Sequence, residues 1–166
     1  VAGIIKKIPS ASPIITYLGN NFSLKSKKTP YSFISALPST FIPALKDDGI
    51  IINRWLANDL GAGKGDSLIV TWYNPGYGHM LEEKSKCFII SSIVDNDSKY
   101  SDPSLMPDFP GISGSTTCSD WDAGVPILMD RIREKDENYW NEFKGTPKAF
   151  ISYNTGKKIW GNNFGT

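Results

Sequence analysis

The chain holds a single histidine, His79, in the stretch that follows Asn74-Pro75-Gly76-Tyr77-Gly78. Zinc chemistry and most acid–base dyads need a second nitrogen or sulfur group at suitable spacing, and no such partner accompanies it. A Ser–His–Asp arrangement would have to be assembled from distant residues, without a G-x-S-x-G turn to expose the serine. His79 therefore reads as an exposed loop residue. Gly61-Ala62-Gly63-Lys64-Gly65-Asp66-Ser67 looks at first like a phosphate loop. The Walker pattern needs a Gly separated by four residues from the Gly-Lys pair, and Ser or Thr directly after the Lys. Asn58 and Gly65 stand at those places, and the stretch follows a helix instead of opening one. Asp95-x-Asp97 begins like a calcium loop, but Lys99 takes the next ligand position and no Gly marks the bend. Asp102, Asp108, Asp120 and Asp122 could join such a site only if their loops converge; aspartates in such loops more commonly cap turns. No two carboxylates single themselves out for glycoside hydrolysis. Trp72, Trp121, Trp140 and Trp160 fit a core better than a sugar-stacking platform. No catalytic residue, metal or cofactor is expected.

Composition narrows the partners. Eighteen Lys and Arg stand against 17 Asp and Glu, a formal charge of +1. Nucleic-acid binding draws on a basic excess that displaces counterions from phosphate, so no nucleic-acid partner is expected. No apolar run reaches the roughly 18–20 residues that cross a bilayer. The sequence starts at Val1 without Met, and VAGIIKKIPS is too short and too broken by Pro9 for a signal peptide. An excised piece of a larger protein is expected. Cys87 and Cys118 could form one bridge or remain two thiols.

The elements follow from pattern. Residues 14–18 and 31–37 are β-prone, joined through Gly19-Asn20-Asn21 and Lys25, Lys27 and Lys28, which read as an exposed turn and strand edge. Ile50-Ile51-Ile52 is a buried strand; Asn53 then stands at a helix N-cap and Gly61 at its left-handed C-terminus. Residues 66–73 and 86–94 form a long antiparallel hairpin around the Asn-Pro-Gly turn. Residues 95–126 are rich in Asp, Ser, Pro and Gly, yet carry Leu105, Met106, Phe109 and Trp121, which predict an ordered excursion packed on the body. A helix is expected over 127–143, with Leu128, Ile132, Tyr139 and Phe143 near one face and Lys135 and Asp136 interrupting it. A short strand over 149–152 and one helical turn follow. The expected fold class is α+β, a mixed or antiparallel sheet with short helices, in one domain spanning 1–166. Within it, 14–95 forms an α+β lobe and 96–166 an inserted second lobe.

Several strings in this order resemble the extracytoplasmic region of FtsX-like, MacB-type ABC transporter permeases. Ile50-Ile51-Ile52-Asn53-Arg54-Trp55-Leu56-Ala57-Asn58-Asp59-Leu60-Gly61, with Lys64-Gly65-Asp66-Ser67-Leu68, is similar to that family's I-x-N-x-W-x-A-x-D-L-G-x-x-x-G-D-x-L pattern. Phe88-Ile89-Ile90-Ser91-Ser92-Ile93-Val94 resembles its closing strand. Met106-Pro107-Asp108-Phe109-Pro110-Gly111-Ile112, Cys118-Ser119-Asp120-Trp121-Asp122-Ala123-Gly124-Val125-Pro126-Ile127, Asp136-Glu137, Tyr139-Trp140, Gly145-Thr146-Pro147-Lys148-Ala149-Phe150 and Ile159-Trp160-Gly161-Asn162 resemble an insertion in one subgroup. The resemblance covers roughly residues 29–165.

What it implies is a MacB-type periplasmic, porter-like lobe plus a helical and loop insertion, on the outer face of the bacterial inner membrane. Membrane helices would flank the chain, and a separate cytoplasmic ATPase would hydrolyse ATP. A second permease copy or paralogue is the implied neighbour, with a lipoprotein or another envelope protein as a further partner. Asn53, Trp55, Asp59, Gly65 and Asp66 would be structural residues of the motif. Phe109, Trp121 and Asp122, on an excursion with exposed aromatics, would offer a partner surface. Two alternatives stand beside this reading. One is a secreted carbohydrate- or peptide-binding module using Trp121, Trp160 and Tyr77, with those rings solvent-facing in one groove. The other is a small hydrolase built on His79.

Overall fold

The computed structural model describes residues 12–75, 80–96, 99–102, 105–106 and 108–161; Tyr77, His79 and Asp97 lie outside them. Six strands form a mixed sheet: β1 (Ile15–Leu24), β2 (Lys27–Leu37), β3 (Gly49–Asn53), β4 (Ser67–Pro75), β5 (Leu81–Val94) and β6 (Ala149–Ser152). Among the described residues three α-helices accompany them: α1 (Arg54–Leu60), α2 (Glu134–Phe143) and α3 (Tyr153–Trp160). The expected α+β class and mixed sheet are present, but the sheet closes into a barrel of order β1-β2-β6-β3-β5-β4. The β2–β6 and β3–β5 pairs are parallel; the others are antiparallel.

Closure depends on β1, which pairs with β2 on one side and β4 on the other. Its register to β4 shifts between Gly19 and Asn21. An extra residue at such a bulge bends the strand and increases its twist, which is how a sheet turns back on itself. Asn20 and Asn21 are accordingly buried, at 2% and 8% exposure, inside one continuous strand. The exposed turn expected there sits further on, at Lys25 and Ser26, where Lys25 takes a φ of 55°.

Side chains that alternate into the barrel form the main core: Phe22, Ile34, Ile50, Ile52, Leu68, Val70, Phe88, Ile90 and Ile151 among them. Leu56, Ala57 and Leu60 of α1 and Trp160 of α3 join that cluster. The outer wall is covered unevenly. Tyr31 and Phe33 of β2 meet Ile112, Cys118, Trp121 and Trp140 of the insertion. Leu37, Ile51 and Phe150 form a further cluster with Tyr100 and Leu105. Strands buried on both faces carry unbroken apolar runs, as Ile50-Ile51-Ile52 does. On β4 and β5 the outward residues Ile69 and Ile89 remain 44% and 39% exposed.

Two expectations change. The residues from 149 onward, grouped by sequence with the second lobe, return to the barrel: β6 lies between β2 and β3, and α3 runs two turns from its Ser152 cap. The helix expected over 127–143 begins at Glu134. Before it, Met129–Arg131 is a single 3-10 turn and the Leu128 N–H donates to the Tyr31 hydroxyl at 2.8 Å. The Asp136 carboxylate takes the Arg133 N–H at 3.0 Å, which caps the helix there. Leu128, placed on the apolar face by the longer helix, is instead 53% exposed.

Gly111 closes the insertion. Its φ is +79°, and a Cβ there would sit 1.7 Å from the Asp122 carbonyl oxygen, beside the bond from the Asp122 N–H to the Gly111 carbonyl at 2.9 Å. Left-handed backbone and backbone collision both oppose a side chain. Gly111→Ala is expected to destabilise the protein by about 1–3 kcal/mol, read as a lower urea midpoint. Gly114, with open space around its Cβ position, serves as control: Gly114→Ala is expected to stay within about 0.5 kcal/mol of the parent.

Candidate functional site

The densest polar chemistry lies where α1, α2 and the strand leading into β6 meet. Asn53 caps α1 as its sequence position predicts, its Oδ1 accepting the Leu56 N–H at 2.8 Å. The same side chain's Nδ2 donates to the Tyr139 hydroxyl at 3.0 Å, and that hydroxyl donates onward to the Thr146 carbonyl at 3.1 Å. Tyr139 belongs to α2, so the cap of one helix is hydrogen-bonded to the face of another. Trp55, two residues after Asn53, packs its ring 5.1 Å from that of Tyr139. Lys148 Nζ lies 3.7 Å from the Trp55 ring centroid and 4.3 Å from that of Tyr139.

One helical turn on, the Asp59 side chain is 2% exposed and takes the Arg133 Nη2 at 2.7 Å. It also accepts from the Thr29 hydroxyl at 2.5 Å and pairs with Lys135. Arg133 in turn holds Asp136 through Nε at 2.7 Å and Nη2 at 2.8 Å, and donates to the Lys28 carbonyl at 3.1 Å. The guanidinium thus joins β2, α1 and α2. Burial raises the Asp59 carboxyl, but hydrogen bonds from Lys135, Thr29 and Arg133 outweigh it and hold the group below the usual carboxylate range. Burial likewise works against the Arg133 charge, and Asp136 and Asp59 overcome it to raise its pKa.

Gly65 and Asp66 shape a different place. The Gly65 N–H donates to the Ile90 carbonyl at 2.8 Å, and the Asp66 carbonyl accepts the Ile90 N–H at 2.9 Å. Asp66 Oδ2 takes the Gly63 N–H at 2.8 Å. The loop that resembled a phosphate cradle therefore spends these N–H groups within the fold. The motif divides its labour: Asn53, Trp55 and Asp59 make the joint, while Gly65 and Asp66 seat β4 against β5. No family profile matches the chain, and no curated protein matches it.

The expected partner surface needs correction. Trp121 is 8% exposed and packs edge-on against Trp140 with centroids 5.0 Å apart. Phe109 lies half-buried, 5.5 Å from the ring of Phe33. Of the three residues assigned to that surface only Asp122 is exposed. These aromatics anchor the insertion to the barrel because β2 presents Tyr31 and Phe33 outward, beneath them. Cys87 is an exposed free thiol and Cys118 a buried one. Burial and the nearby Glu137 charge push Cys118 up to about 12. Among the aspartates weighed for calcium, Asp95 pairs with Arg54 at 3.0 Å and Asp120 caps its own turn through the Thr117 hydroxyl at 3.0 Å. No group of three or more His, Cys, Asp or Glu side chains suited to a metal occurs among the described residues.

Sequence reasoning missed Arg133, Lys148 and Thr29 as members of the joint. The one usable signal was Asp136, a carboxylate interrupting the apolar face of its helix, which is now seen buried and paired. Space decides what the joint can do. The cavity beside it, lined by Cys118, Asp136, Tyr139 and Lys148 among others, holds about 20 Å³, room for one water. The arrangement is a clamp.

Removing one partner of a buried ion pair leaves the other charged and unmatched, which typically destabilises by about 3–5 kcal/mol. Asp59→Asn is expected to fall in that range by urea denaturation. The pH dependence has a definite sign. Because the Asp59 carboxyl titrates below its unfolded value of 3.8, the folded state binds fewer protons, and its contribution, full above that value, is lost as pH falls through the lower folded pKa. The parent's urea midpoint is therefore expected to drop more steeply between pH 5 and 2.5 than that of Asp59→Asn.

Proposed function

We propose that this chain is the extracytoplasmic domain of an FtsX-like ABC transporter permease, which docks partners and relays motion instead of catalysing a reaction. Support comes first from the clamp. The motif residues Asn53, Trp55 and Asp59 bond to Tyr139, Lys148 and Arg133, so that barrel and insertion move as one body. A part that transmits rigid-body motion needs such stiffness. Further support lies in how the chain enters and leaves the barrel. Tyr17 of the first strand stacks on Trp160 of the last helix, with centroids 5.1 Å apart and rings 4° from parallel. A body whose two connections lie side by side is suited to being carried between two membrane spans.

No helix among the described residues is long and apolar enough to cross a membrane, so on this reading the spans lie in flanking sequence. ATP hydrolysis belongs to a cytoplasmic ATPase, and a second permease copy or paralogue completes the transporter. The binding-module alternative required Trp121 and Trp160 together in an open groove. They are buried in separate clusters, which favours the transport reading over it.

Cys87 offers a direct test. It is exposed on β5, whereas the buried Cys118 thiol is held protonated. In spheroplasts carrying the full-length gene product, a membrane-impermeant maleimide is expected to label the protein without lysis. Cys87→Ser is expected to abolish that labelling, and the protein is expected to stay with the membrane through alkaline extraction. Labelling only after lysis, or release by alkaline extraction, would overturn the proposal.

A further inference from the structure

The chain reverses between α2 and β6 at Phe143-Lys144-Gly145-Thr146. Lys144 takes φ 51° and ψ −138°, and the Thr146 N–H donates back to the Phe143 carbonyl at 3.2 Å. This is a type II′ turn, whose first central position calls for glycine because an L side chain there strains the backbone. The glycine stands one place later. A Cβ on Gly145 would lie 2.2 Å from the Met106 sulfur and from its methyl carbon, so Gly145 makes room for Met106. The strained position carries a lysine instead, for which the turn itself gives no reason. Its side chain is exposed. Its Nζ lies 5.7 Å from the Trp140 ring centroid, and an exposed contact of that kind contributes little.

The same side chain borders a cleft of about 200 Å³ whose walls include Met106, Trp140 and Phe143. Trp140 is a fixed wall, because its Nε1 donates to the Ser115 carbonyl at 3.2 Å and its ring packs on Trp121. Asp108 and Ser113 share the lining with Lys144. The Ser113 hydroxyl accepts the Phe109 N–H at 2.6 Å, which leaves its own hydrogen to donate. Among the described residues neither Lys144 nor Asp108 has an ion-pair partner. A simple anion in this cleft would face Asp108, and a simple cation would face Lys144. An uncharged apolar molecule would use neither. One charge of each sign beside apolar walls suits a small molecule that carries both charges and an apolar group.

We propose that this cleft binds a free α-amino acid with an apolar side chain. Lys144 and the Ser113 hydroxyl take its carboxylate, Asp108 takes its ammonium, and Met106, Trp140 and Phe143 hold its side chain. The size agrees, since a cavity of about 150 Å³ already admits benzene. The strain at Lys144 then has a use: it holds the amine at the cleft, and strain of this kind collects at ligand sites. The site is independent of the transporter reading.

A titration of the ¹⁵N-labelled full chain with L-leucine, L-methionine and L-phenylalanine tests the site, read at the Lys144 and Gly145 amides and the Trp140 indole N–H. At least one is expected to give saturable shifts with a Kd on the order of 1 mM. Its amide, which lacks the carboxylate, and its N-acetyl derivative, which lacks the ammonium, are each expected to bind about tenfold more weakly. Asp108→Asn and Lys144→Gly are expected to weaken binding of the free amino acid by about the same factor. Lys144→Gly is also expected to keep its urea midpoint at or above that of the parent, because glycine relieves the turn. No saturable shift with any of the three, equal binding of the amide, or undiminished binding by Lys144→Gly overturns the site. A lower midpoint in Lys144→Gly overturns it too, by showing that the lysine serves the fold.

Discussion

The structure depends on a guanidinium held between two buried carboxylates. Arg133 meets Asp59 at 2.7 Å and Asp136 at 2.7 Å, and it is the link through which the insertion, the first helix and the second strand share one polar centre. Such a centre is weak as a source of net stability, because withdrawing each charge from water opposes much of the mutual attraction. Its value is geometric. Bidentate contacts fix direction as well as distance, and an apolar contact in the same place would tolerate sliding. The aromatic pairs around it, Trp55 with Tyr139 and Trp121 with Trp140, supply the apolar burial that the ion pairs do not.

That joint works because the barrel presents a wall fit to receive it. A small closed sheet has one interior and one exterior, and this one buries part of its exterior as well. Tyr31 and Phe33 on β2 accept the insertion, while Ile51 and Phe150 accept the segment around Tyr100 and Leu105. The segment rich in Asp, Pro and Gly is consequently a second layer over one side of the barrel, pinned by its large residues. The other side, formed by β4 and β5, carries no comparable cover among the described residues, and Ile69 and Ile89 face outward there.

Local chemistry was legible in the sequence and long-range closure was not. The Asn53 cap and the Gly61 terminus of α1 followed from residue type and position. The antiparallel pairing of β4 with β5 followed from the turn between them. By contrast, nothing in Gly19-Asn20-Asn21 distinguishes a turn from a bulge until β4 is found on the far side of β1. The start of α2 depended on Arg133 being drawn to Asp59, 74 residues away in sequence, and periodicity alone extended that helix too far. Nothing local in the sequence marks Lys148 as buried, because the two rings against it come from α1 and α2. Asp136 was the exception: a carboxylate on an apolar face implied a partner without saying which.

The hairpin of β4 and β5 extends past the barrel. Among the described residues β3 pairs with β5 only from Ile89 onward, so the preceding part of β5 is bonded along one side by β4. An open flank of this kind invites another chain to add itself as a strand. Here the flank bears Glu82, Glu83 and Lys84, all exposed, and mixed charge at close spacing discourages such unguided pairing. Elsewhere the ring of strands has no beginning or end, so whatever meets the barrel wall must be recognised through side chains.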